Sequence, residues 1–149
     1  DRIMIALVQR CLRGSVEVDG VIVGEIGNGL TVFVGLHPDD AETLDDKLVH
    51  KLLALRVFAD EAGKMNKSVV DTGGNILLIP NFTLAADTSG GNRPSFTSAM
   101  HPDQARPRFE RLFALLKSRL GNAQCGRFGA DMKILVLNDG PVNLILRLE

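Results

Sequence analysis

With 149 residues, 16.1 kDa, 45% hydrophobic and 23% charged content, the chain has ordinary globular composition and the length of one domain, which rules out a disordered or fibrous protein. A formal net charge of −1 rules out a histone-like polycation, no apolar run reaches the roughly 20 residues of a membrane helix, and no basic-then-apolar leader opens the chain. Cys11 and Cys125 lack CxxC spacing, so neither a disulfide scaffold nor a zinc ribbon is expected, and the composition predicts a cytoplasmic domain.

Met4 reads as a natural start, with residues 1–3 as an artefact ahead of it; the whole chain, 1–149, reads as one domain. Ile3 to Gln9 is a mostly apolar run and predicts a strand. Val16 and Val18 face Val21 and Val23 across Asp19-Gly20, a hairpin signal because both turn positions need positive φ. Asn28-Gly29 marks a turn into Leu30–Leu36, apolar enough for a central strand. Ala41, Leu44, Leu48, Leu52 and Leu55 then share one face of a helix, opened by Pro38-Asp39 with Glu42 three residues on, as in a capping box.

Arg56-Val57-Phe58 predicts a short strand and Asp60 to Gly74 a loop or hairpin. Asn75–Leu84 returns to strand, interrupted by Pro80, which favours a strand end, bulge or edge because proline lacks a ladder donor. Ala85–Pro94 is a long polar loop. A second helix carries Ala105, Phe109, Leu112, Phe113, Leu116 and Leu120 on one face. Pro107 fits only near its first turn, and Gly121 or Gly126 ends it. Two closing strands, Met132–Leu137 and Val142–Leu148, flank Asn138–Pro141. The predicted order is β-β-β-β-α-β-β-α-β-β, an α/β domain with a mixed sheet and two helices packed on one face.

Charge is unevenly placed. Residues 36–61 hold seven acidic and three basic side chains; residues 101–133 hold seven basic and three acidic. Two readings of the basic segment stand: a solvated helix face, or a patch facing an anion such as a nucleic-acid backbone.

Familiar catalytic signatures are absent: no Gly-x-Ser-x-Gly elbow, Walker loop or His-Glu-x-x-His occurs, and His37, His50 and His101 have no partner at metal spacing and read as surface residues. Gly24, Gly27 and Gly29 precede no helix on which a phosphate might dock. Asn66-Lys67-Ser68 and Asn81-Phe82-Thr83 match the glycosylation triplet without any sign of secretion. The cysteines read as packed thiols. No metal or cofactor is expected. What remains are two unusual turns, Pro80–Phe96 and Asn138–Asn143, the second containing a Gly-Pro that could be cis.

These residues carry a resemblance. Ile5–Arg10, Leu55–Phe58, Gly63–Asn66, Phe82–Thr88, Arg93–Phe96, Gly126–Phe128, Asp131-Met132 and Asn138–Val142 match, in order, the bacterial and eukaryotic D-aminoacyl-tRNA deacylases along essentially the whole chain from Met4. The resemblance implies a three-layer domain of mixed, mostly antiparallel β-sheets with two helices on one face, acting as a homodimer. It implies hydrolysis of the ester joining a D-amino acid, or glycine mischarged on an alanine tRNA, to the terminal adenosine of tRNA.

It also implies site roles. Phe82 and Thr83 would offer backbone N–H groups to the developing oxyanion. Gly140-Pro141, cis in the D-specific members, would reach into the partner copy's pocket, hold the amino group on its carbonyls and exclude an L side chain. Phe128 would stack on the adenine with Met132 beside it, and the ribose 2′-hydroxyl would assist the attacking water. Where the family usually reads Ser-Gln-Phe-Thr-Leu, this chain has Pro80 and Asn81. Where it reads Gly-Pro-Val-Thr, this chain has Asn143. Pro80 is similar to an animal paralogue that removes L-alanine from a threonine tRNA. Two alternatives therefore stand beside the D-specific enzyme: an editor with altered substrate, such as L-alanyl-tRNA, and a non-catalytic binder of the tRNA end.

Overall fold

The computed structural model describes residues 3–38 and 42–149. Strand β1 spans Met4–Val18, β2 Val21–Ile26 and β3 Gly29–Gly35; helix α1 spans Thr43–Ala54. Strands β4 (Phe58–Ala59) and β5 (Met65–Lys67) form a small hairpin, followed by β6 (Asn75–Pro80) and a single 3-10 turn, Phe82–Ala85. Helix α2 (Pro102–Arg119), β7 (Gln124–Cys125) and β8 (Lys133–Leu148) complete the chain.

The main sheet runs β2-β1-β3-β6-β7, with β8 along the other side of β1. Pairs β3–β6 and β6–β7 are parallel and the rest antiparallel. Along one side of β1 the neighbour is β8 throughout. Along the other it is β3 from Ile5 to Cys11 and β2 from Gly14 to Val18. The sheet therefore divides at that hand-over, and the β2 side folds back over β6 and β7.

Alternation in β6 then makes three layers. Ile76 and Leu78 face the helices with Leu48, Leu52, Leu112 and Leu116. Leu77 and Ile79 face the opposite way, onto Cys11, Val16, Val18 and Ile26. A strand buried on both faces reads as an unbroken apolar run, which is why Ile76–Ile79 has no polar alternate. The β layers close tightly at Gly24, where a Cβ would lie 2.6 Å from the Cys125 carbonyl oxygen.

The three-layer α/β expectation holds, while several boundaries move. The first two expected strands are one 15-residue strand, β1. Three strands, not two, lie between the helices, and the strand expected to reach Leu84 stops at Pro80. Asn81 ends it: its side chain accepts the Thr83 N–H and starts the 3-10 turn. Pro80 sits at a strand end, as a missing donor requires.

The two closing strands are one, because both halves of β8 pair with β1 in the same direction. Helix α2 starts earlier than expected, with Pro102 in the first turn and Pro107 inside the helix. The expected cap Asp39 and the face residue Ala41 lie outside the described residues; Glu42 makes no side-chain cap bond.

The charge asymmetry is consumed between the helices. Arg108 is buried and donates to both carboxylate oxygens of Asp45, also buried, at 2.9 to 3.1 Å. Arg111 reaches Glu42 at 2.7 Å and Arg119 reaches Asp46 at 2.9 Å. Three of the seven basic residues thus pair with the acidic segment, so the stretch is neither a wholly solvated face nor a continuous anion patch.

A buried carboxylate bound bidentately makes charged hydrogen bonds of about 1.5–3 kcal/mol each, whereas exposed pairs contribute about 1 kcal/mol or less. Urea unfolding of Asp45→Asn is therefore expected to show a loss of about 3 kcal/mol, and that of Glu42→Gln less than about 1 kcal/mol.

Candidate active site

A groove of about 800 Å³ opens beside the end of β6, between the 3-10 turn, the start of α2 and the segment after β7. Pro80, Asn81, Phe82, Phe128 and Met132 all line it. Residues that are 48 positions apart in sequence, such as Pro80 and Phe128, meet because β6 and β7 run parallel and end on the same side. Ligands in open sheets with parallel strands favour that end.

The turn itself is built by Asn81. Its Oδ1 accepts the Thr83 N–H at 3.2 Å and the Thr83 hydroxyl at 2.5 Å. The Thr83 hydroxyl is therefore engaged by its own turn. No described residue accepts from the Phe82 N–H, which leaves that donor at the groove edge.

The Phe82 ring is more than half exposed and meets Phe96 edge to face, with centroids 5.1 Å apart. Phe96 reaches it because the long loop doubles back on itself: Asp87 and Ser95 exchange backbone hydrogen bonds of 2.8 and 2.9 Å. The Asp87 carboxylate also accepts from the Ser89 hydroxyl and N–H, which holds its pKa below the ordinary value.

Phe128 is half-buried, packed on Phe109, with the Arg106 guanidinium 5.0 Å above its ring centre. Met132 packs against Gly126, where a Cβ would lie 2.9 Å from its sulfur. His101 also lines the groove, and its Nδ1 accepts the Asp103 N–H at the start of α2.

The remaining expected residues lie elsewhere. Between the pairs Gln9–Asn143 and Cys11–Asn138, β1 has one residue and β8 has four, so Asp139–Val142 is pushed out as a bulge. Gly140 and Pro141, joined by a cis peptide, sit exposed on it and do not line the groove of their own protomer.

The bulge is braced from below. Arg10 donates from Nε to the Asp139 carbonyl at 2.9 Å and from Nη1 to the Val57 carbonyl at 2.7 Å. Asn138 Oδ1 accepts the Val142 N–H, and Asn143 Oδ1 accepts from Gln9 and Asn138 at 3.0 and 2.6 Å. Gly140 has φ +147°, and a Cβ there would lie 2.7 Å from the Val142 side chain, so the position demands glycine.

Sequence reasoning missed Arg10, Arg106 and His101. Arg10 and Phe96 belong to quoted motifs but carried no role, and Arg106 was counted only within the basic segment. The two thiols are not activated, since burial pushes both upward. Among the described residues no three His, Cys, Asp or Glu side chains gather as metal ligands, and no described helix is long and apolar enough to cross a membrane.

Comparison with known proteins gives a consistent picture. A family profile described as D-Tyr-tRNA(Tyr) deacylase matches residues 7–147. A D-aminoacyl-tRNA deacylase from Methylibium petroleiphilum is 56% identical over 143 residues, covering 96% of this chain and 94% of that protein. Another from Xanthomonas axonopodis pv. citri is 51% identical over 145 residues, covering 97% and 99%. The solved c-Myc DNA unwinding element binding protein superposes with a TM-score of 0.90 at 39% identity, over 95% of this chain and 97% of that one. A probable eukaryotic D-amino acid tRNA deacylase has a TM-score of 0.86 over 98% of this chain and 100% of its own, and at 14% identity shows the shared fold.

The Asp87 contact has a readable sign. A depressed carboxyl pKa means its stabilisation is present above the ordinary carboxylate range and lost as pH falls through the lowered value. Carboxyl-carbon NMR is expected to give Asp87 a midpoint below about 3.9, moving the loop resonances of Ser89 with it.

Proposed function

The chain belongs to the D-Tyr-tRNA(Tyr) deacylase family, and from that membership we propose that it hydrolyses the ester between a D-amino acid and the terminal adenosine of tRNA. Free tRNA and the D-amino acid are released, a chiral proofreading step in translation. Glycyl-tRNA mischarged on an alanine tRNA is a second substrate, and the setting is cytoplasmic. The observation that carries the reading is the convergence of Pro80, Asn81, Phe82, Phe128 and Met132 on one groove.

Chemistry at this groove runs on backbone groups and on the substrate. Water attacks the ester carbonyl, aided by the ribose 2′-hydroxyl as proton acceptor. Negative charge develops on the carbonyl oxygen, and the Phe82 N–H, which has no acceptor among the described residues, is the donor positioned for it. The ester C–O bond then breaks, and the ribose oxygen leaves with the proton. Thr83 supports the turn, since both its hydroxyl and its N–H are engaged by Asn81. Phe128 stacks on the adenine, a contact of roughly 1–3 kcal/mol, with Met132 alongside.

Selectivity comes from a second copy of the chain. Gly140-Pro141 of one protomer enters the groove of its partner, where its carbonyls hold the substrate amino group and leave no room for an L side chain. Glycine has no side chain to exclude and passes. The exposed outer side of β8 supports this reading. It is a 16-residue edge strand carrying Leu135, Leu137 and Ile145, each about half exposed, beside the bulge. Such an apolar edge needs a cover.

Asn143 braces the bulge through two hydrogen bonds where the family usually has threonine. Purified protein is expected to deplete D-tyrosyl-tRNA and glycyl-tRNA and to spare L-tyrosyl-tRNA. Asn143→Thr is expected to sharpen the D-over-L ratio of hydrolysis rates. Loss of L-alanyl-tRNA would move the protein to the altered-editor reading, and no hydrolysis of any ester would leave only a binder.

A further inference from the structure

Helix α2 sorts its arginines by face. Arg108 and Arg119 are paired with carboxylates of α1, and Arg111 with Glu42 just before it. Arg106 turns the other way and lines the groove. The described lining residues carry no carboxylate, and Arg106 is their only arginine or lysine. Its guanidinium rests over Phe128, with a single long hydrogen bond of 3.4 Å from Nη1 to the Phe128 carbonyl.

The adjoining Gly129 has φ +77°, and a Cβ there would lie 3.0 Å from Arg106 Nη2, so the guanidinium rests close against the Phe128-Gly129 backbone. A guanidinium has five N–H donors, and most of them here point at no protein acceptor. A cation on an aromatic face at an exposed position is weakly held, so it yields to a stronger anion.

Resting on the deacylase reading, we propose that Arg106 is the phosphate-binding residue of the groove. A nucleotide entering over Phe128 takes the ring for its base. The displaced guanidinium then grips the phosphodiester on the 5′ side of the terminal nucleoside. This contact distinguishes a tRNA end from a lone aminoacyl nucleoside and ties the groove to nucleic acid through one charge. The other arginines of α2 are neutralised against α1 and contribute little.

The test compares two probes, D-tyrosyl-tRNA and the D-tyrosyl ester of adenosine, which has no phosphate. For Arg106→Gln, the ratio of kcat/KM for the tRNA ester to that for the adenosine ester is expected to fall about tenfold relative to the unaltered protein, the weight of one charged hydrogen bond. The slope of log KM against log salt for the tRNA ester is expected to fall by about 0.7, the value for one phosphate contact on a single strand. Arg106→Lys is expected to restore the slope, since it restores the charge.

An equal change on both esters, or an unchanged salt slope, would overturn the proposal by showing that Arg106 only packs Phe128. If the unaltered protein cleaved neither ester, the deacylase reading itself would fall and this inference with it.

Discussion

Strand β1 is the element on which everything else hangs. It bonds to β8 along one side and, in turn, to β3 and β2 along the other. The change of neighbour near Cys11–Gly14 splits one sheet into two layers, and the bulge in β8 lies just before it, opposite Arg10. Arg10 ties the bulge to the Val57 carbonyl, so the exposed turn is anchored to the body of the domain.

The proposed site of backbone groups suits this construction. The groove edge is set by a strand that must end, because Pro80 has no donor and Asn81 caps the turn that follows. The bulge is held by Arg10, Asn138 and Asn143 beneath it. Rigid support of that kind is what preorganised electrostatic stabilisation requires. The helices contribute mainly by closing the core, and their opposite charges are spent on one another. Among the described lining residues of the groove, Arg106 is the only arginine or lysine.

Much of the architecture was legible in the chain. Asp19-Gly20 marked its hairpin, with both residues at positive φ, and the helical periods of α1 and α2 gave the right faces. The uninterrupted Ile76–Ile79 run gave a central strand. Asn138-Asp139-Gly140-Pro141 misled because its residues are those of a hairpin turn, while the continuity of β8 is set by pairing with β1 more than a hundred residues away. The charge blocks misled for a similar reason, since only the packing of α1 on α2 reveals that they face each other. The groove residues were legible through motif resemblance alone, because a donor N–H or a carbonyl has no side-chain signature.

The reading stands or falls on whether one protomer's bulge completes its partner's groove. Phe128→Asp disables a groove and leaves its bulge intact; Gly140→Val does the reverse. When the two variants are unfolded together and refolded as a mixture, mixed dimers should each hold one intact site, and hydrolysis of D-tyrosyl-tRNA should return to about a quarter of the unaltered rate. A mixture no more active than its two components measured apart would contradict a shared site and place the turn's action within its own chain.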